Sequence, residues 1–182
     1  MDFQCPSALH HRHEGEAYLP GSGAWILQQS EFVAWWSSPT SPLFWLHRFP
    51  SCGKTKLVHI VVQKLLGEDR QLIDYFYCAR NPAEPQYSRP AKVVAGLLRQ
   101  LAVTRNGILR EPVAKACQSR LQTVELDRSG IGSLSPLTLA ESVPLVLAIL
   151  ENEPSVLVID AVDECDLLRR HELLSDLRGD YG

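Results

Sequence analysis

Apolar residues along this chain alternate between a helical spacing and short continuous runs. From Trp25 to Trp36, the residues Ile26, Phe32, Val33 and Trp36 recur at helical spacing, and Ser37 to Pro42 breaks the pattern. This predicts a short amphipathic helix on the domain edge, with Trp25, Trp35 and Trp36 as packing residues rather than a stacking surface. Phe44-Trp45-Leu46 is an apolar run that reads as a strand, followed by a turn-rich segment closing on Gly53-Lys54-Thr55. Helical spacing resumes over Lys54 to Leu66 and ends at Gly67.

Leu72 to Cys78 is rich in β-formers and reads as a second strand, and Ala79 to Arg89, with Pro82 and Pro85, as a loop. Pro90 to Val103 places Val93, Val94, Leu97, Leu98 and Leu101 on one face of a helix that begins with proline. A weaker helix runs from Glu111 to Leu121, and a Ser/Gly loop from Asp127 to Pro136. Thr138 and Glu141 form a capping box for a helix that stops near Pro154. Val156 to Ile159, four apolar residues in a row, marks a buried parallel strand, and Arg169 to Leu177 a final helix.

Strands alternating with helices predict an α/β fold, a parallel sheet with helices on both faces and ligands bound beyond the carboxyl ends of the strands. The length of 182 residues, 45% of them hydrophobic, suits one such unit. Residues 1–23 read as a poorly ordered polar linker and 24–182 as the domain. In the linker, Cys5, His10, His11 and His13 fit no standard zinc spacing.

A net charge of −3 without a basic stripe argues against a nucleic-acid partner. No apolar run approaches the ~20 residues of a membrane span. The N-terminus lacks the apolar run of a signal peptide, and five widely spaced cysteines do not form a disulfide framework. A reducing, cytoplasmic location is the expectation.

The chemistry concentrates in two stretches. Segment Arg48 to Thr55 ends as a phosphate loop does, with Gly53 allowing close backbone approach, Lys54 reaching for phosphates and the Thr55 hydroxyl for Mg²⁺. Pro50, Ser51, Cys52, Gly53, Lys54 and Thr55 are the candidate nucleotide-binding residues. The first motif position holds Arg48 where G-x-x-x-x-G-K-[ST] has glycine. If that position needs a positive φ, the cost is on the order of 1–3 kcal/mol, or about ten- to a hundredfold in affinity.

The second stretch follows the buried strand: Asp160 is the candidate Mg²⁺ ligand beside Thr55, and Asp163 and Glu164 are the candidates to orient the attacking water. A solvated acidic loop is the bland reading of this stretch alone. Its pairing with Gly53-Lys54-Thr55 favours a site for ATP or GTP with Mg²⁺.

Four blocks resemble the NACHT nucleoside-triphosphatase domains of fungal signalling proteins, of the nephrocystin-3 N-terminal-like type. They are Pro20 to Leu27 with Glu31, Phe32 and Trp35; Cys52 to Thr55, the end of Walker A; Tyr75 to Cys78; and Val158 to Asp166, the Walker B block, with Arg170 to Leu174.

The resemblance implies a P-loop NTPase three-layer sandwich, and a switch in which nucleotide binding sets an oligomeric state and hydrolysis is slow. It implies effector and repeat domains in full-length relatives, and homo-oligomers. It further implies that this chain stops before a central strand following Walker B, leaving unpaired edges at ~1–3 kcal/mol per buried group and marginal stability. Efficient catalysis by such a chain is not expected. Two readings of different class stay open: a nucleotide-binding switch, and a degenerate, non-binding interaction scaffold. A small-molecule P-loop kinase fits less well, because no lid or acceptor site is evident.

Overall fold

The computed structural model describes residues 21–40, 43–47, 49, 52–68, 72–81, 83, 85–126, 135–153, 155–166 and 170–178. The expected linker up to Pro20, with Cys5 and its histidines, and the Ser/Gly loop over 127–134 lie outside the described residues, as do Arg48, Pro50 and Ser51.

Six α-helices and two strands are described: α1 (Ser30–Trp36), α2 (Lys54–Leu66), β1 (Leu72–Tyr77), α3 (Pro90–Leu101), α4 (Glu111–Leu126), α5 (Leu139–Asn152), β2 (Ser155–Asp160) and α6 (Arg170–Arg178). Short 3-10 turns cover Ala24–Gln28, Pro85–Ser88 and Val162–Glu164. β1 and β2 pair in parallel, from Leu72 opposite Ser155 to Tyr77 opposite Asp160, which brings both carboxyl ends to the same edge of the molecule.

Strand pleating explains how this small sheet organises two cores. Val156 and Val158 point to one face and Leu157 and Ile159 to the other, as a period of two demands. On the first face Ile26, Phe32, Leu57, Ile60, Val61 and Leu65 form a cluster built from the N-terminal turn, α1 and α2. The second face carries the larger cluster, centred on α3, α5 and α6. The stripe Val93, Val94, Leu97, Leu98 and Leu101 is at most 5% exposed, and burying each such side chain is worth roughly 1.5–3 kcal/mol. Helices therefore cover both faces of a parallel sheet, an α/β arrangement.

Local signals behave as their chemistry predicts. Pro90 opens α3 where its missing N–H costs nothing, and the Thr138 hydroxyl and Glu141 carboxylate make both bonds of the capping box that starts α5. The buried Arg110 side chain grips Glu153 through two bonds of 3.0 and 2.7 Å and donates to the carbonyls of Leu101 and Val103, fixing the start of α4 against the ends of α3 and α5.

Three expectations change. The stretch from Trp25 to Trp36 is not one helix: Gln29 is extended, at φ −66° and ψ 137°, and separates a 3-10 turn from α1. The run Phe44-Trp45-Leu46 is not a strand, since residues 43–47 join no ladder. Among the described residues no strand lies beside it to supply hydrogen bonds, yet Phe44 and Leu46 still pack on the first-face cluster. β2 is not fully buried either; only Asp160 is, because β2 has one described strand neighbour.

Candidate functional site

Ala161 turns the chain sharply as it leaves β2. At φ 52° and ψ 43° it occupies the left-handed region, which a residue with a Cβ enters at a cost of about 1–2 kcal/mol. The turn brings Val162–Glu164 beside the exit of β1, where the Asp163 backbone and the Glu164 carboxylate meet Arg80.

Four contacts tie that acidic turn to the segment following β1. The Arg80 backbone N–H donates to Glu164 Oε2 at 2.8 Å, and the Arg80 guanidinium to the Asp163 carbonyl at 3.3 Å. The Asp166 N–H donates to the Ser88 carbonyl at 2.9 Å, and the Cys78 and Cys165 sulfurs are 3.3 Å apart. Cys78 also donates its N–H to the Asp160 carbonyl, continuing the ladder one step past β1. Asp160 itself is 5% exposed.

Across from β2, Gly53 caps the N-terminus of α2 at φ 81° and ψ 23°, a conformation that glycine adopts freely, and it supplies no side-chain cap. A Cβ built there would meet nothing within 4 Å among the described residues. Lys54 follows in the first turn, its ammonium donating to the Phe49 carbonyl at 3.3 Å. Thr55 is half-buried and Cys52 exposed.

Between these two groups lies a cavity of about 370 Å³. Its walls come from residues 43–47, from Lys54, Val58 and Val61 of α2, and from Leu157 to Asp163. Consecutive residues from both faces of β2 line it, so it runs along the strand edge that β1 does not occupy. The walls are mainly apolar, with His47, Lys54, Asp160 and Asp163 as the polar lining residues.

Of the candidates from sequence, the fold thus gathers Lys54, Asp160 and Asp163 around one space. Cys52, Gly53, Thr55 and Glu164 do not line it, and Glu164 bonds instead to Arg80. Pro50 and Ser51 are outside the described residues. Sequence reasoning missed Arg80, whose position opposite Glu164 depends on strand pairing, and the closeness of Cys78 to Cys165. The small residue after Asp160 was the one available sign of the Ala161 turn.

Among the described residues no group of three or more His, Cys, Asp or Glu side chains could hold a metal, and no helix is long and apolar enough to cross a membrane. Searches of curated proteins and of solved structures gave no match. The sequence profile of the family described as nephrocystin 3, N-terminal, matches residues 21–180, taking in both the Gly53-Lys54-Thr55 segment and the acidic turn. With nearly all of its length inside that match, the chain belongs to the nephrocystin 3, N-terminal family.

Proposed function

We propose that this domain is a NACHT-type P-loop switch that binds ATP or GTP with Mg²⁺, with weak or no hydrolysis. The observation that carries this reading is the single cavity shared by Lys54, Asp160 and Asp163, lying between the N-terminus of a 13-residue helix and the carboxyl end of β2. A helix start led by a left-handed glycine, with a cation in the first turn, suits phosphate oxygens. The Phe49 carbonyl now facing Lys54 is a neutral acceptor, weaker than a phosphate oxygen for an ammonium.

In this reading Pro50, Ser51, Cys52 and Gly53 would supply backbone N–H groups to the phosphates, except that Pro50 has none to give, Lys54 would neutralise them, and Thr55 and the buried Asp160 would hold Mg²⁺, which when bound would supply further charge neutralisation. Asp163 and Glu164 would orient water, with one Glu164 carboxylate oxygen already engaged by the Arg80 N–H. Effector and repeat modules, homo-oligomerisation, a role in signalling or self/non-self recognition and a cytoplasmic location accompany the proposal.

A second reading, a non-binding interaction scaffold, draws on the same segment: Leu43, Trp45 and Phe49 are 74%, 55% and 87% exposed. Titration with fluorescent ATP and GTP plus Mg²⁺ separates the two. The switch requires saturable binding that Lys54→Ala weakens about tenfold or more and Arg48→Gly tightens by about ten- to a hundredfold. Absence of signal at micromolar protein, or indifference to both substitutions, decides for the scaffold.

A further inference from the structure

Cys78 and Cys165 belong to no step proposed above, yet they meet where β1 ends and the acidic turn closes. Their sulfurs are 3.3 Å apart, about 1.3 Å beyond the ~2.05 Å of a disulfide. The residues are 87 positions apart in sequence, so only the parallel pairing of β1 with β2 and the left-handed turn at Ala161 bring them together. Both are buried, at 5% and 0% exposure, and both are free thiols. Two thiols in van der Waals contact, on segments already joined by the Arg80 to Glu164 and Ser88 to Asp166 bonds, need little backbone movement to join.

We propose that Cys78 and Cys165 are an oxidation site, a dithiol that hydrogen peroxide converts reversibly to an intramolecular disulfide locking the acidic turn onto the end of β1. In the first step one of the two sulfurs attacks a peroxide oxygen, the O–O bond breaks, that sulfur becomes a sulfenic acid, and the departing hydroxide takes the thiol proton and leaves as water. In the second, the other sulfur attacks the sulfenic sulfur, the S–O bond breaks, and the second thiol proton departs with the oxygen as water. Overall two thiols and one peroxide give one disulfide and two waters.

Each sulfur lies within reach of the other, so whichever thiol peroxide oxidises first, the second is placed to resolve it. The proposal does not depend on nucleotide binding, and its test does not use it.

The whole chain, reduced, desalted and dilute, is treated with a modest molar excess of hydrogen peroxide, then denatured, alkylated and mapped by mass spectrometry without reductant. The expected product is a Cys78–Cys165 cross-linked peptide that dithiothreitol removes. Closing so long a loop should also raise Tm by about 5–10 °C, an increase that reductant reverses. Cys78→Ala should abolish both the cross-linked peptide and the Tm rise. If that variant does not fold, the peptide map of the unsubstituted chain decides alone. Recovery of both thiols intact while the exposed Cys52 and Cys117 oxidise, or cross-links of Cys165 only to those residues, overturns the proposal.

Discussion

The side-chain amide of Gln100 bonds to both backbone groups of Tyr75. It accepts the Tyr75 N–H at 3.2 Å through Oε1 and donates Nε2 to the Tyr75 carbonyl at 2.9 Å. These groups point away from β2, so one residue of α3 occupies the outer edge of β1 as a third strand would. Replacing Gln100 with Leu keeps the bulk and removes both bonds. Chemical denaturation should show a loss of about 1–3 kcal/mol, with more aggregation on heating. Full stability in Gln100→Leu would mean that water serves that edge equally well.

Gly96 lies one turn before Gln100, facing the Phe76 ring. A Cβ there would come within 2.8 Å of two ring carbons, and the ring sits in a filled core. Helix propensity favours alanine by about 1 kcal/mol, but overpacking costs about 1–3 kcal/mol. Gly96→Ala should therefore lower Tm, whereas the same substitution in an exposed helix would raise it.

Asp74 gives stability a pH dependence of unusual sign for a carboxylate. The residue is 4% exposed, its Oδ2 has no hydrogen-bond partner among the described residues, and burial pushes its pKa from 3.8 up to about 7, against the pull of Arg110. Its folded-state value lies above the unfolded one, so the folded protein holds a proton that the unfolded chain releases. The contribution is full below about pH 4 and is lost as pH rises through 7. Asp74→Asn should flatten the stability profile between pH 4 and 8 and stabilise the protein at pH 8 by about 1–3 kcal/mol, read by urea denaturation. A variant no more stable than the parent at pH 8 would show that the carboxylate ionises there without penalty.

Glu164 accepts the Arg80 N–H and is a carboxylate proposed to orient water, and substitution separates the two. Glu164→Gln retains a carbonyl acceptor for the Arg80 N–H and should fold normally, with nucleotide binding kept and any turnover slowed. Glu164→Ala removes the acceptor and should cost about 1 kcal/mol at this half-buried position while exposing Cys165 to faster alkylation. Equal turnover in parent and Glu164→Gln would remove the carboxylate from the chemistry.

Much of this architecture could be read along the chain because its signals are local. Gly67 ends α2, Pro90 starts α3 and Thr138 caps α5 where the sequence predicts, each through groups within one helical turn. Phe44-Trp45-Leu46 shows the limit of such reading. Its composition suits a strand, but a strand exists only with a neighbour to share its hydrogen bonds, and no residue within the run reports on one. The extended Gln29 inside an otherwise helical pattern is a similar case, since apolar spacing continues across a single non-helical residue.

By itself the sequence determined which residues could bind phosphate or carry acid chemistry, because Lys54, Asp160, Asp163 and Glu164 bring their charge wherever the chain goes. Tertiary structure decided which of them meet. Parallel pairing set Tyr77 beside Asp160, and the left-handed Ala161 folded the acidic turn onto Arg80. Those two facts placed Cys78 against Cys165, and the packing of α2 on β2 brought Lys54 to the cavity that Asp160 and Asp163 line. Proximity between distant residues is a property of packing and hydrogen-bond register, which no single stretch of sequence encodes.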